Sequence, residues 1–290
     1  MDVNCGTYVQ KYAATAVQQG KLSESDINRA LHNLFSIRMR LGLFNGDPKN
    51  HLYGKLSPNV VCTKTNKNLA LEAAREGIVL LKNSANLLPL AVSKTTSLGV
   101  IGPNANSVML GNYAGPPCTS ISPLQALQSY VKNTQFVPGC NNVACASGSI
   151  EEAVQLAKSV DQVIMFMGLD LTQEKEELDR VDLVLPGMQQ MLIASVARAA
   201  KKPVILVLLC GGPVDVSFAK DDKNVGGILW AGYPGEAGGV AIADVIFGKH
   251  NPGEDFSCLH NRIIYQTSSL IYSKLVHLQQ KIIKTRQLKC

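Results

Sequence analysis

The chain has 290 residues, of which 46% are hydrophobic and 17% charged, and its formal net charge at pH 7 is +6. This hydrophobic share can fill one large core or two smaller ones, which excludes an intrinsically disordered protein. No apolar run reaches the roughly 18 residues of a transmembrane helix, so we predict a soluble protein without a membrane span.

The positive charge belongs to the end of the chain. Residues 257–290 contain six of the 28 basic residues and no Asp or Glu, and the rest of the chain balances its remaining basic residues against 22 acidic ones. The body of the protein is therefore neutral. This distribution argues against a nucleic-acid partner, which would require a basic surface on the folded domain.

The sequence gives opposing indications about the cellular compartment. Residues 1–6 contain no basic residue followed by an apolar core, so we predict no secretion signal there. Cys140 and Cys145 lie close together in a loop rich in Asn and Gly, where they could either form a disulfide in an oxidising compartment or remain reduced. No CxxC pair or neighbouring His suggests zinc, and no metal is predicted.

Two helices are predicted near the start of the chain. The first runs from Tyr8 to Gln19, and the second follows a capping box of Ser23 and Asp26 and continues to about Leu41. Residues 45–66 contain several turn-forming Asn, Gly and Pro residues and few periodic apolar positions, so we predict a linker there.

After this linker, short apolar runs alternate with amphipathic helical stretches. Strands are predicted at 77–81, 98–101, 163–167, 204–209 and 227–230, and helices from about 67 and at 123–131, 150–160, 185–200 and 236–247. Ser149 and Glu152 suggest a capping box, and Pro186 suits a first helical turn. The pattern predicts an α/β fold: a mostly parallel sheet in a three-layer α/β sandwich, whose ligand loops follow the carboxyl ends of the strands.

The loop after the predicted strand 163–167 contains most of the candidate chemistry. Its carboxylates are Asp170, Glu174, Glu176, Glu177 and Asp179. Carboxyl groups crowded beside a buried strand can retain a proton near neutral pH, as a general acid must. The alternative is a solvated acidic loop balanced by Lys175 and Arg180.

Other loops exclude several classes of enzyme. The segment after the strand at 98–101 lacks a GxGxxG fingerprint and a Walker lysine, and no GxSxG occurs, which argues against a dinucleotide site and a serine-hydrolase triad. Trp230 and Tyr233, on either side of Gly232, could stack on a sugar ring or belong to the core.

Several motifs together resemble one known family. They are Glu72–Asn83, Leu87–Leu90, Val100–Ala105, the loop 170–180 with Leu185-Pro186-Gly187, Gly232–Gly235 with Gly238-Gly239, and Asn251-Pro252-Gly253. In this order they resemble the second domain of glycoside hydrolase family 3. With residues 1–6 and Arg29–Phe35, the resemblance narrows to the plant β-D-xylosidases and α-L-arabinofuranosidases of that family.

The resemblance implies a retaining exo-glycosidase that acts on xylan-derived oligosaccharides in the cell wall. Its nucleophile lies in a (β/α)8 barrel, its acid/base glutamate comes from the following sandwich domain, and it needs no cofactor. The Glu-x-Glu spacing of the family falls on Glu174 and Glu176, of which we favour Glu176 and keep Glu174 as the alternative. The expected substrate-binding residues are Asp170, Arg180, Trp230 and Tyr233. Glu177 departs from the small residue that is usual in the family.

The resemblance also predicts how the chain is organised. Residues 1–44 correspond to the end of the barrel, 45–66 to a linker, 67–253 to the sandwich and 254–290 to a divergent basic tail. The nucleophile of similar enzymes commonly lies in a Ser-Asp-Cys tripeptide, which this sequence lacks. We therefore predict a chain truncated at both ends and inactive alone, with a barrel domain in trans as a possible partner.

Two alternatives for the function and two interpretations of the tail stay open. The chain could be a non-catalytic sugar-binding module that uses Trp230 and Tyr233, or a fragment that binds a protein partner through a bare sandwich face. The tail could form a basic amphipathic helix on an anionic membrane, with Ile271, Leu275 and Leu278 at helical spacing, or be sequence never selected for packing.

Overall fold

The computed structural model describes residues 2–252, which divide into two compact units: one reaches Val61 and the other begins at Cys62. The predictions for the tail, residues 254–290, fall outside the described residues. None of the helices in the described part of the chain is long and apolar enough to cross a membrane.

The first unit contains helices α1 (Tyr8–Gln18) and α2 (Glu24–Arg40), followed by two short 3₁₀ helices, Pro48–Asn50 and Pro58–Val60. The predicted capping box at the start of α2 is confirmed, because Ser23 Oγ accepts from the backbone of Asp26 and the Asp26 carboxylate accepts from the backbone of Ser23. Neither α1 nor α2 buries any of its residues.

The second unit alternates strands and helices. Its elements are α3 (Lys64–Glu76), β1 (Val79–Asn83), β2 (Leu98–Ile101), α4 (Pro123–Tyr130), β3 (Thr134–Val137), α5 (Ile150–Ser159), β4 (Gln162–Gly168), α6 (Gln189–Ala199), β5 (Val204–Leu209), α7 (Ser217–Lys220), β6 (Val225–Trp230) and α8 (Gly238–Ile246), with short 3₁₀ helices at Ser84–Asn86 and Val92–Lys94. All the predicted strands form, and β3 is an additional short, partly exposed strand.

These strands form one sheet in the order β1-β6-β5-β4-β2-β3. Every neighbouring pair is parallel except β1 and β6, which are antiparallel. The predicted α/β fold with a mostly parallel sheet is therefore confirmed. Since β2, β4, β5 and β6 run in the same direction, the loops that follow them meet at one edge of the sheet.

Alternating side chains of the central strands enter two separate cores. From β4, Val163 and Met165 pack on one face of the sheet with residues of α5 and α6. Ile164 and Phe166 pack on the opposite face with residues of α3, α4 and α8. Every residue of β4 and β5 is buried, which explains why both strands are continuously apolar in sequence.

One predicted capping box and one predicted helix start are wrong. Ser149 makes no capping hydrogen bond from its side chain at the start of α5; a capping box forms instead at Ser122 and Gln125, at the start of α4. Helix α6 begins at Gln189 rather than near Leu185, because Gly187 has a φ of +52°, which is incompatible with a right-handed helix.

One buried carboxylate holds the helices of one face together. Asp244 of α8 is only 1% exposed and accepts hydrogen bonds from the Arg75 guanidinium of α3 and the Tyr130 hydroxyl of α4. Burial and this hydrogen bond raise the pKa of Tyr130, so the phenol stays protonated and continues to donate. The network fixes the positions of α3 and α4 relative to α8.

Within residues 62–252, two disulfides cross-link the second unit. Cys140 and Cys145 form the short loop whose pairing the sequence left open. Cys62 and Cys118, which the sequence did not pair, join the segment before α3 to the long loop between β2 and α4 and enclose a much longer stretch, with a sequence separation of 56. The second disulfide therefore restricts the unfolded chain more strongly.

We expect the Cys62→Ala/Cys118→Ala variant to lose about 4 kcal/mol of unfolding free energy, and the Cys140→Ala/Cys145→Ala variant about 2 kcal/mol, because the entropy of loop closure grows with loop length. Urea unfolding of the oxidised chain measures both values. A larger loss for the short loop would contradict this entropic account.

Candidate active site

The carboxylate of Glu174 connects the loops that follow three neighbouring strands. Glu174 lies in the loop after β4. Its carboxylate accepts hydrogen bonds from the backbone N–H groups of Gly211 and Gly212, after β5, and from the hydroxyl of Tyr233, after β6. A single side chain thus determines how the loops after β4, β5 and β6 are arranged.

Both oxygens of this carboxylate are engaged. Oε1 lies 2.7 Å from the Gly211 nitrogen, 3.0 Å from the Gly212 nitrogen and 2.7 Å from the Tyr233 hydroxyl. Oε2 lies 3.1 Å from the Gly212 nitrogen and 3.6 Å from Nε of Arg180. The side chains of Glu174 and Arg180 are only 16% and 14% exposed, so this pair is screened far less than a surface ion pair.

The approach of Glu174 requires glycine at position 212. A Cβ atom there would lie 2.5 Å from Oε2 of Glu174, closer than real Cβ contacts. With no side chain, the backbone N–H of Gly212 can reach the carboxylate directly. The backbone N–H groups of Gly211 and Gly212 therefore act as a pair of donors that bind an anionic group.

Two neighbouring groups are held in their neutral forms. Burial, together with the adjacent Glu174 carboxylate, raises the pKa of Tyr233. Burial raises the pKa of the Cys210 thiol to about 12. A protonated, buried thiol is a poor nucleophile, so Cys210 belongs to the packing beneath the loops rather than to their chemistry.

Glu176 lies in a different setting, only two residues further along the loop. Lys175 and Leu178 exchange two backbone hydrogen bonds of 3.2 and 3.0 Å, which close a tight turn with Glu176 and Glu177 at its tip. Glu176 is exposed, and its Oε2 accepts a hydrogen bond from the hydroxyl of Tyr113. The structure thus separates the two glutamates into one enclosed carboxylate and one that faces outward.

The loop after β2 is joined to the same edge of the sheet by Asn104. This side chain is fully buried, and its Nδ2 donates to the backbone oxygen of Leu169 at 3.0 Å. Gly102 begins the loop with a φ of +126°, and a Cβ there would lie 2.0 Å from the backbone oxygen of Phe166. The glycine therefore reflects close packing of two strand ends, not a phosphate site.

The remaining predicted site residues have structural partners. Asp170 accepts from the backbone of Thr172 at 2.9 Å and shapes the start of its own loop. Trp230 is partly buried and packs against one core of the sheet. The structure therefore brings Glu174, Arg180 and Tyr233 together and gives Asp170, Trp230 and Glu176 other neighbours. Sequence analysis missed Tyr113 and the two glycine amides, because only the fold brings them next to the acidic loop.

Across residues 2–252, no three His, Cys, Asp or Glu side chains come together in a way that could hold a metal ion. The polar groups at this edge are instead carboxylates, backbone amides, phenols, the Asn104 side-chain amide and the Arg180 guanidinium.

Comparison with known protein families matches residues 78–254 to the glycosyl hydrolase family 3 C-terminal domain. The chain belongs to this family. A probable β-D-xylosidase 7 of Arabidopsis thaliana is 62% identical over 255 residues, and the β-xylosidase/α-L-arabinofuranosidase 1 of Medicago sativa subsp. varia is 53% identical over 254. Both alignments cover 87% of this family 3 chain and 33% of the relative, so the chain spans about a third of the length of these relatives.

A solved structure shares the fold. The family 3 exo-β-xylosidase XlnD, solved in complex with a xylobiose aziridine probe, superimposes with a TM-score of 0.77 at 39% identity. The match covers 87% of this chain and 32% of XlnD. The resemblance inferred from the motifs is confirmed, and the similar proteins are glycoside hydrolases.

The enclosed and the exposed glutamate should respond differently to substitution. Glu174→Ala leaves two amides and a phenol without their acceptor and the Arg180 guanidinium without its carboxylate, so we expect a loss of about 3 kcal/mol in unfolding free energy. Glu176→Ala on the surface should change stability by no more than about 0.5 kcal/mol. Urea unfolding of both variants measures the difference, and equal losses would show that the Glu174 contacts contribute little.

Glu177 occupies the left-handed region with a φ of +66°, which disfavours a residue with a Cβ. We expect Glu177→Gly to raise the unfolding free energy by about 1 kcal/mol, because glycine adopts this conformation without steric cost. Glu177→Asn should gain less and Glu177→Val should be destabilising. Thermal and urea unfolding of the three variants tests this order, and a glycine variant less stable than wild type would contradict it.

Proposed function

We propose that this chain supplies the acid/base half of a retaining exo-glycosidase that removes terminal β-D-xylosyl or α-L-arabinofuranosyl residues from xylan-derived oligosaccharides. Membership of family 3 and the names of the plant relatives support this substrate class. The observation that carries the proposal is the exposed carboxylate of Glu176, at the sheet edge where ligands bind in parallel α/β domains.

Retaining glycosidases need two carboxyl groups about 5 Å apart, one acting as nucleophile and the other as acid and then base. In this proposal, protonated Glu176 gives its proton to the glycosidic oxygen as the bond from that oxygen to the anomeric carbon breaks and the nucleophile carboxylate bonds to the same carbon. The resulting carboxylate then takes a proton from the water that hydrolyses the glycosyl ester on the nucleophile. The overall reaction consumes the glycoside and one water molecule and gives the free sugar and the released alcohol, and it leaves both carboxyl groups as they began.

Glu174 is less suited to this exchange. Its two oxygens already accept hydrogen bonds from Gly211, Gly212 and Tyr233 and face Arg180, so both oxygens are engaged within the domain. We assign Glu174 to positioning: it holds the base of the loop whose tip presents Glu176. In this assignment Arg180 and Tyr233 position Glu174 and do not themselves contact substrate.

The nucleophile is proposed to come from a (β/α)8 barrel outside these 290 residues, because the Ser-Asp-Cys tripeptide does not occur in them. Residues 1–44 are proposed as the end of that barrel. Many large apolar side chains of this segment are exposed, among them Tyr8, Leu31, Phe35, Ile37, Met39 and Phe44. Such a surface favours burial against further structure.

The two disulfides favour an oxidising compartment, and we propose the cell wall as the site of action. A non-catalytic sugar-binding module receives less support. Trp230 and Tyr233 are both partly buried and each packs against one of the two cores, so neither ring is a free stacking platform.

Complementation tests the proposal. The full chain and the separately produced barrel domain of the Arabidopsis relative should each be inactive on xylobiose and 4-nitrophenyl β-D-xyloside, and active when mixed. With the barrel, Glu176→Gln should lower kcat on xylobiose by about 10² to 10⁴-fold, as expected for loss of a general acid. Glu177→Gln removes an adjacent exposed carboxyl and should stay within about twofold of wild type.

Two results would overturn this proposal. Turnover by the chain alone at a rate comparable with the Arabidopsis relative would refute the barrel-borne nucleophile. A mixture that is active but insensitive to Glu176→Gln would refute Glu176 as the proton donor, and a loss confined to Glu174→Gln would assign that role to Glu174.

A further inference from the structure

Tyr113 contacts the exposed glutamate from a distant part of the chain. Its hydroxyl donates a hydrogen bond to Oε2 of Glu176, 63 residues away in sequence. Tyr113 lies in the loop between β2 and α4 and is itself 82% exposed, so core packing does not place it there. Its position depends on how that loop is attached to the domain.

The loop is attached on both sides of Tyr113. On the amino-terminal side, the backbone oxygen of Met109 accepts from the Gly235 nitrogen at 3.0 Å. On the carboxyl-terminal side, Cys118 is joined to Cys62 by a disulfide. The carboxylate of Glu236 also accepts from the backbone nitrogens of Cys118 and Thr119. Residues 109–118 therefore form a short, doubly anchored span that carries Tyr113 over the acidic loop.

The two loops complement each other at Glu176. The base of the acidic loop is fixed by Glu174, but Glu176 is on an exposed turn tip, and its side chain has several staggered rotamers to choose among. A hydrogen bond from Tyr113 to Oε2 restricts this choice and leaves Oε1 for the transferred proton. A phenol keeps this contact in both protonation states of the carboxyl group, since it donates to the carboxylate and to the carbonyl oxygen of the acid.

We propose that Tyr113 is a positioning residue for Glu176 and holds its carboxyl group in the orientation required for proton transfer to the leaving oxygen. This inference rests on the proposed function for the role of Glu176, but the contact itself can be tested without turnover.

The first experiment uses the full chain alone, with ¹³C labels on Glu Cδ and Tyr Cζ. Tyr113→Phe should move the Glu176 Cδ resonance by more than a line width, and Glu176→Gln should move the Tyr113 Cζ resonance in return. The matched controls are Glu177→Gln and Tyr53→Phe, which alter an adjacent carboxyl and another exposed phenol and should move neither signal. Loss of reciprocity would overturn the inference whatever the activity of the protein.

The second experiment uses the chain mixed with the barrel domain and compares two leaving groups. Xylobiose needs a proton on its departing sugar, whereas 2,4-dinitrophenolate departs without one. Tyr113→Phe should lower kcat on xylobiose about tenfold, corresponding to one hydrogen bond, with KM unchanged within about twofold. On 2,4-dinitrophenyl β-D-xyloside, kcat should fall by less than about twofold.

The outcomes separate the two proposals. If Tyr113→Phe lowered kcat equally on both substrates, its effect would not depend on proton transfer. Tyr113 would then only maintain the structure of the site, and the positioning role would be wrong. Reciprocal shifts in the spectrum together with an inactive wild-type mixture would overturn the proposed function, and with it the role of Tyr113 in proton transfer, while the contact would stand. Reciprocal shifts with a loss confined to xylobiose would support both.

Discussion

The arrangement of the loops at the carboxyl end of the parallel sheet depends on one carboxylate. Glu174 accepts hydrogen bonds from groups that follow β5 and β6 and is itself located after β4. Loops at the end of a sheet have no ladder of hydrogen bonds to align them, so a partly buried carboxylate shared among them supplies that order. Removing the Glu174 carboxylate would leave several donors unpaired at once, so this one side chain contributes more to the unfolding free energy than an ordinary surface residue.

The same constraint explains how two glutamates two residues apart differ in environment. The turn closed by Lys175 and Leu178 lifts Glu176 and Glu177 away from the enclosed side chain of Glu174. One carboxyl group is held as part of the framework, and the next is presented to the exterior. In a proposed proton donor this division is useful, because a rigid base and an accessible tip are both needed for a carboxyl group to meet substrate in one orientation.

Much of the fold could be predicted from the sequence. The strands β4 and β5 are buried on both faces and appear in sequence as continuous apolar runs, so their position follows from those runs and their parallel pairing from the helical stretch between them. Local signals were less dependable. Ser149 matches a capping box in sequence without forming one, and the start of α6 is displaced because Gly187 fits against the backbone oxygens of Ala144 and Cys145, a contact between distant segments. The pairing of Cys62 with Cys118 likewise depends on a long loop whose path no local pattern describes.

The sequence by itself determined the alternation of strands and helices, the family and the acidic loop, because these depend on periodicity and on motifs that are contiguous in the chain. Only the tertiary structure decided which glutamate is enclosed and which faces outward, and that Tyr113 lies beside Glu176. The spacing Glu-x-Glu is the same whichever side chain turns inward. Glu174 turns inward because backbone amides after β5 and a phenol after β6 bind its carboxylate. These donors are distant in sequence, so the acidic loop alone does not predict which glutamate they bind.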